Sequence, residues 1–300
     1  MFNKIAIIGC GLIGSSILRS IKEYKIAKKV NIFDKSKDVF TFLKKENLIE
    51  GTNDINQSVR DADLVVIATP LGAYKEILLS IKDDLKKNII LTDTGSAKKE
   101  INKIIENLNL KEISWIASHP IAGTEESGPQ AGFYKLFKDR YCIISPSQEA
   151  KKEDVEKLKK FWEKIGCKVK TMSFEEHDHI LSLTSHLPHA IAYNLVRTAI
   201  SKEDQFKKEI IQYSAGGLRD FTRIASSDPT MWKDIFKDNS ENILKALDNF
   251  SNNLVELKEA IKEKNESKLI QIFSKTKNVR KEIIEAGQDT NKPDFGRKKD

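Results

Sequence analysis

Cysteine is scarce in this chain. There are three in 300 residues, Cys10, Cys142 and Cys167. They are odd in number, far apart and without CxxC spacing, which argues against a disulfide framework and a zinc site and for a reducing, cytoplasmic setting. Long hydrophobic runs are missing too, and no stretch reaches the length of a membrane span, so no membrane partner is expected. The amino terminus shows no basic region leading into a long apolar stretch; FNKIAIIG already reads as a strand, and we expect no secretion signal. Internal repeats and low-complexity linkers are also absent. An excess of one charge is present but modest, at +7. The lysines are interleaved with acids, as in Lys151 to Lys160, which is the pattern of a solvated helix face rather than a nucleic-acid surface. No nucleic-acid partner is expected; the positive field instead favours anionic ligands.

What the chain does have is 39% hydrophobic residues in a length that suggests two domains. Apolar strands recur at Lys4–Ile8, Val30–Phe33, Leu64–Ala68, Ile89–Thr92 and Ile113–Ala117. Later strands are expected at Tyr141–Ser145 and Cys167–Thr171, with a helix from Glu149 to Ile165 between them. Strands alternating with helices predict an α/β fold, a doubly wound, mostly parallel sheet. From Phe174 the strand signals stop. Ile180–Ile200 is apolar nearly all round, which predicts a helix buried on every side. Pro188 should kink it and free a backbone carbonyl near His186 and His189. Ile243, Leu247, Phe250, Leu254, Leu257 and Ile261 form a heptad seam of one helix packing on another. We therefore expect a nucleotide-binding domain over 1–173, an all-helical domain over 174–287, and a loose tail over 288–300. The helices offer more apolar face than one such domain buries by itself, which predicts a homodimer.

Gly9, Gly11 and Gly14 follow a strand, open a helix, and are succeeded by Asp34 at the end of the next strand. A lone GxGxxG is weak, but here its whole context is present. Gly9 permits the tight turn, Gly11 lets the backbone approach a pyrophosphate, and Gly14 lets helix and strand pack. Leu12 and Ile13 begin the helix whose free N–H groups face the phosphates. Asp34 should bind the ribose hydroxyls and repel a 2′-phosphate, which favours NAD over NADP. Thr69 and Pro70, at the end of the third strand, complete the cofactor candidates.

His119 sits at the end of the fifth strand, with Pro120 expected to stop it, in SHPIAGTEESGPQA. That end of an open α/β sheet is where ligands bind, and a histidine there can exchange protons near neutrality. The plain alternative is a loop histidine capping a strand. His177, His179, His186 and His189 lack metal-ligand spacing, with the first pair two apart and the second separated by Pro188, so no metal is expected.

Five motifs, GCGLIGSS at 9–16, DTGSAK at 93–98, HPIAGTEESGP at 119–129, TSHLPHAIA at 184–192 and GGLRDFTRIASSDPTMW at 216–232, together resemble prephenate dehydrogenases. The likeness runs in order from the first strand to about residue 285. It implies NAD-dependent oxidative decarboxylation of prephenate on the route to tyrosine, with arogenate as the alternative substrate. It implies that His119 accepts the proton of the ring hydroxyl and that Ser96 hydrogen-bonds the same region and orients that histidine. Arg223 would bind a substrate carboxylate, His189 would face the substrate's other end, and Glu125 and Asp220 would be acids at the mouth and side of the cleft. Gly216 and Trp232 match motif positions. Fused forms carry a chorismate mutase or regulatory domain, for which we see no room, so a monofunctional enzyme is expected, with any feedback by tyrosine acting at the active site itself. On the residues alone, Ser96 could instead cap the following helix and Arg223 could form a salt bridge. A 3-hydroxyacid dehydrogenase, which uses a lysine on a long helix, and a non-catalytic NAD sensor are the competing functions.

Overall fold

The computed structural model describes residues 1–50, 53–110, 112–124, 126–200 and 207–286. The first part of the chain alternates β1 (Phe2–Ile8), α1 (Leu12–Glu23), β2 (Ala27–Phe33), α2 (Lys37–Lys45), α3 (Ile55–Val59), β3 (Leu64–Ile67), α4 (Tyr74–Ile81), β4 (Ile89–Asp93), α5 (Lys99–Leu108) and β5 (Ile113–Pro120). It continues through β6 (Tyr141–Pro146), α6 (Lys152–Lys164) and β7 (Lys168–Thr171). Among the described residues these strands form one sheet in the order β2-β1-β3-β4-β5-β6-β7. Both faces are covered, which is why the strands read as continuous apolar runs. Ile5 and Ile7 pack on one face with Leu18, Phe161 and Trp162. Ala6 and Ile8 pack on the other with Leu78 and Ile101.

One feature departs from expectation. β5 pairs parallel with β4 only over Ile113–Trp115, and from Ile116 to Pro120 it runs antiparallel to β6. No α-helix intervenes between β5 and β6 among the described residues, so the chain returns in the opposite direction. The strand ends at Pro120, as expected, though His119 and Pro120 lie within it rather than beyond it. Pro120 pairs with Cys142 as the last residue of the ladder, where its missing N–H costs nothing further along the ladder. His119 is thus an integral strand residue, facing Ile143.

The helical part comprises α7 (Phe174–Leu181), a π-helical segment Ser182–His186, α8 (Leu187–Ile200), α9 (Lys207–Gln212), α10 (Gly216–Ile224), α11 (Pro229–Asp238), α12 (Ser240–Lys262) and α13 (Glu266–Glu285). Ser173 opens α7 with a capping box: its hydroxyl accepts from Glu176 N–H while the Glu176 carboxylate accepts from Ser173 N–H. Phe174, Tyr193, Trp232 and Ile235 join the apolar cluster on one sheet face. This explains why the first compact unit runs from Met1 to Ile243, with a second from Leu244 onward.

The segment Ile180–Ile200 is helical, but it is not buried on every side: Ile180, Leu183 and Leu195 are 36–45% exposed. Only one face meets the sheet unit, so its other apolar positions stay at the surface of the single chain. Pro188 follows the π segment, in which the Leu187 N–H reaches back to the Ser182 carbonyl. The heptad seam lies on α12 as expected, yet Leu254 and Ile261 on it are more than half exposed. In the second unit Lys268 of α13 pairs with Glu256 of α12. The expected loose tail lies outside the described residues. No helix among the described residues is long and apolar enough to cross a membrane.

Candidate active site

The glycine turn is built by contact. Gly9 has φ +89°, and a Cβ there would meet the Ala68 carbonyl and Thr69 at 2.7 Å. A Cβ on Gly14 would lie 2.0 Å from the Gly9 carbonyl. Glycine is required at both positions, one for backbone conformation and one for helix-to-strand approach. Gly11 is different: a Cβ there would meet nothing within 4 Å. Open space lies in front of the α1 N-terminus, where Gly11 is the N-cap without a side-chain capping bond. Leu12 and Ile13 open that helix, and its first N–H groups have no intrahelical acceptors. A pyrophosphate fits this cradle by space, polarity and the helix dipole. Asp34, at the end of β2, is held by two N–H donors, Cys10 at 2.7 Å and Ser36 at 2.9 Å. Its main chain is fixed by the Asn53 side chain in both directions. Thr69 and Pro70 follow β3, next to β1 in the sheet, with Thr69 against Gly9. Because β2 and β3 flank β1 on opposite sides, this is the switch point at which such sheets bind ligands.

His119 lies near the carboxyl end of β5 and is 9% exposed. Burial first, and then the crowding of other protonatable groups, His177, Lys98 and His186, hold its pKa well below the usual histidine range. It is therefore a neutral imidazole at physiological pH. Its Nδ1 lies 2.9 Å from Nε2 of His177, and Nδ1 of His177 lies 2.8 Å from Oδ1 of Asp178. Asp178 has a second task. Its carboxylate accepts the Lys98 and Lys99 N–H groups at 2.8 and 2.9 Å, and so caps α5 from another element.

Ser96 lies in the loop between β4 and α5, half-buried. It does not cap α5, whose N-cap is Lys98. The side chain in hydrogen-bond contact with His119 is His177, a residue the sequence did not place beside it. The loop carrying Ser96 also brings a buried ion pair behind the histidine. Lys98 Nζ meets Asp93 Oδ2 at 2.6 Å, with both side chains at most 1% exposed. Burial lowers the Lys98 pKa while Asp93 holds it up. Asp93 also accepts from Gly95 N–H, Ser118 N–H and the Tyr74 hydroxyl.

A run of rings leads from His119 toward the remaining candidates. His186, fully buried, accepts from Asn239 Nδ2 at 3.1 Å and lies against the backbone of Ser96. Its pKa falls to about 4, chiefly through burial. Trp232 lies edge-on to His186, with centroids 6.1 Å apart, and stacks on His189 at 3.7 Å. His189 Nδ1 donates to the Ser185 carbonyl at 2.9 Å, a carbonyl of the π-helical segment ahead of Pro188. Burial, and then the positive field of Arg223, lower the His189 pKa. Asp220 and Arg223 lie one turn apart on α10, the arginine exposed and the acid half-exposed. Gly216 begins that helix. The structure thus links Ser96 to His189 through His186 and Trp232. Glu125 lies outside the described residues. Among the described residues no group of three or more His, Cys, Asp or Glu could hold a metal ion.

A dinucleotide cradle at the switch point, with a buried neutral histidine at the carboxyl end of β5 in the same sheet, points to the class: a dinucleotide-dependent oxidoreductase. Comparison with known proteins specifies it further. Residues 17–171 match "Prephenate dehydrogenase, nucleotide-binding domain" and residues 173–275 match "Prephenate dehydrogenase, dimerization domain". The cyclohexadienyl dehydrogenase of Zymomonas mobilis is 40% identical over 93% of this chain and 96% of its own length. The Bacillus subtilis prephenate dehydrogenase is 30% identical over 93% of this chain and 76% of its own. The crystal structure of Aquifex aeolicus prephenate dehydrogenase with hydroxyphenyl propionate and NAD+ superposes with TM-score 0.86. That structure is 33% identical and covers 94% of this chain and 99% of the other. The chain belongs to the prephenate dehydrogenase family.

Proposed function

We propose that this enzyme oxidises and decarboxylates prephenate to 4-hydroxyphenylpyruvate in tyrosine biosynthesis. The observation that carries this reading is His119, buried and neutral at the carboxyl end of β5, on the same sheet as the dinucleotide cradle. The cofactor is NAD, which takes up hydride from the ring carbon bearing the hydroxyl. His119 accepts the hydroxyl proton as that carbon becomes a carbonyl. Loss of the ring carboxylate as carbon dioxide then returns its bonding electrons to the ring, which becomes aromatic, and the oxygen regains a proton as the phenol. The chain's residues supply position and a proton acceptor, and aromatisation drives the step. Arg223 meets a substrate carboxylate with its planar fork, His189 faces the substrate's other end, and Ser96 lines the region of the hydroxyl. Asp220 is the acid beside the cleft, and Glu125 is given a like role by its motif position alone.

A second substrate has a specific observation in its favour, because the 40%-identical relative is a cyclohexadienyl dehydrogenase. Arogenate replaces the keto group with an ammonium. Asp220, one turn from Arg223, is the acid on α10 suited to meet it. We expect prephenate to be preferred, since Arg223 and the net charge of +7 favour the more anionic molecule. Competition of the two substrates, followed by nicotinamide reduction, decides this: a higher kcat/KM for arogenate overturns the preference, and turnover of neither overturns the function.

The same reading makes the protein a homodimer through its helical region. Ile211, Tyr213 and Phe221 are 53–74% exposed on or beside α9 and α10, and such apolar surface is what a partner copy covers. Light scattering that returns a particle of 34.1 kDa rather than twice that mass at micromolar concentration refutes it.

A further inference from the structure

Asp178 fixes where protons sit in the neighbouring rings. Its Oδ1 accepts from Lys98 N–H at 2.8 Å and lies 2.8 Å from His177 Nδ1; its Oδ2 accepts from Lys99 N–H. Backbone N–H groups only donate, so this carboxylate acts wholly as acceptor and His177 must carry a proton on Nδ1. His177 is fully buried, and burial lowers its pKa even though Asp178 raises it. The ring is therefore neutral with one proton, and Nε2 is a bare acceptor. That acceptor lies 2.9 Å from His119 Nδ1. The donor between them can only be His119 Nδ1–H, and a neutral His119 then has its lone pair on Nε2.

We infer that His177 is a positioning residue: anchored by Asp178, it fixes the proton of His119 on Nδ1 and leaves Nε2 as the base. The arrangement does more than select a tautomer. When Nε2 takes up a proton, the new imidazolium donates from Nδ1 to an acceptor whose far side is braced by a carboxylate. The positive charge is then stabilised through one intervening ring, in a region otherwise hostile to it because the site is buried and Lys98 stands nearby. The same carboxylate caps α5, so the base is registered against both the sheet and the helix that follows β4. This deepens the dehydrogenase reading and rests on it for the role of Nε2; the proton assignment itself does not.

Two substitutions separate the contacts. His177→Asn retains an amide N–H near the Nδ1 position, for Asp178, and removes the acceptor for His119. His177→Gln places an amide oxygen near the Nε2 position and gives up the Asp178 contact. The full-length enzyme, labelled with 15N-histidine, reports the His119 tautomer by NMR, and steady-state kinetics with NAD report kcat and KM. Wild type should show Nδ1–H on His119. The Asn variant should lose that tautomer, with kcat down about 100-fold or more, the scale of a misdirected base, and KM within about threefold. The Gln variant should keep the tautomer and recover most of kcat. An Nε2–H tautomer in wild type, or an unchanged tautomer in the Asn variant, overturns the inference. So does an equal loss of kcat in the two folded variants. If wild type turns over neither prephenate nor arogenate, the functional reading fails instead, while the NMR result still decides the proton's place.

Discussion

Removing the cation at Lys98 tests how the site is held. Lys98→Met deletes the 2.6 Å contact to Asp93 and keeps most of the side-chain volume. It leaves a carboxylate that is fully buried. Breaking a buried ion pair from one side costs about 3–5 kcal/mol, because the remaining charge has no counterion. Asp93 keeps three donors, Gly95 N–H at 2.9 Å, Ser118 N–H at 3.0 Å and the Tyr74 hydroxyl at 3.3 Å. We therefore expect the lower end, about 3 kcal/mol. All three tryptophans, Trp115, Trp162 and Trp232, belong to the first compact unit. Tryptophan fluorescence in urea at pH 7 thus reports the unit that contains the pair. Adding Asp93→Asn should not add a full second penalty: an amide still accepts from Ser118 N–H, and the charge has gone. The cycle should show a coupling of about 2–3 kcal/mol. A loss below about 1 kcal/mol for Lys98→Met, or strict additivity in the double variant, would refute the claim that this pair is charged and mutually dependent.

Four further outcomes are expected. His119→Asn should lower kcat by about 100- to 10,000-fold, with substrate affinity little changed, and near-normal turnover in the folded variant removes His119 from the chemistry. Arg223→Ala should weaken substrate binding by about 2–5 kcal/mol while NAD affinity holds, and equal weakening of both ligands by calorimetry would make the arginine structural. The enzyme should prefer NAD to NADP, and Asp34→Ser should narrow the gap; a wild type that favours NADP contradicts the role given to Asp34. His186 should make stability depend on pH. Its folded pKa of about 4 lies below its ordinary 6.5, so the stability it contributes is complete above pH 6.5 and is lost as pH falls through 4, about 3 kcal/mol in all. His186→Gln should flatten that part of the urea stability curve, and an unchanged curve refutes the assignment.

Much of this protein is legible along the chain because its signals are local. Gly9, Gly11, Gly14 and Asp34 lie within one strand-turn-helix-strand passage, and backbone geometry dictates glycine at the first and third of them. The parallel strands declare themselves as short apolar runs because the sheet is covered on both faces. The end of β5 marks His119, and the loss of strand signals after Phe174 marks the helices. Pairing direction is less legible: nothing within Ile116–Pro120 states that its partner runs antiparallel, since the same apolar pattern serves either direction. The apolar faces of α8 and α12 show a similar limit. Periodicity states that a face is apolar, but not what covers it.

The environment of His119 was decided by tertiary structure. His119 and His177 are 58 residues apart, and Asp178 meets Lys98 across 80. In sequence, Asp178 is one more acid in the first turns of an acidic helix, and His177 one of several histidines. Only when α7 docks beside the start of α5 does the carboxylate reach two backbone N–H groups and an imidazole together. Only burial then makes those rings neutral and their hydrogen bonds directional. The sequence determined which residue types stand at strand ends and turns, because those depend on φ, ψ and side-chain alternation over a few residues. Proton placement depends on desolvation and on donors brought from distant elements, and these exist only once the chain has folded.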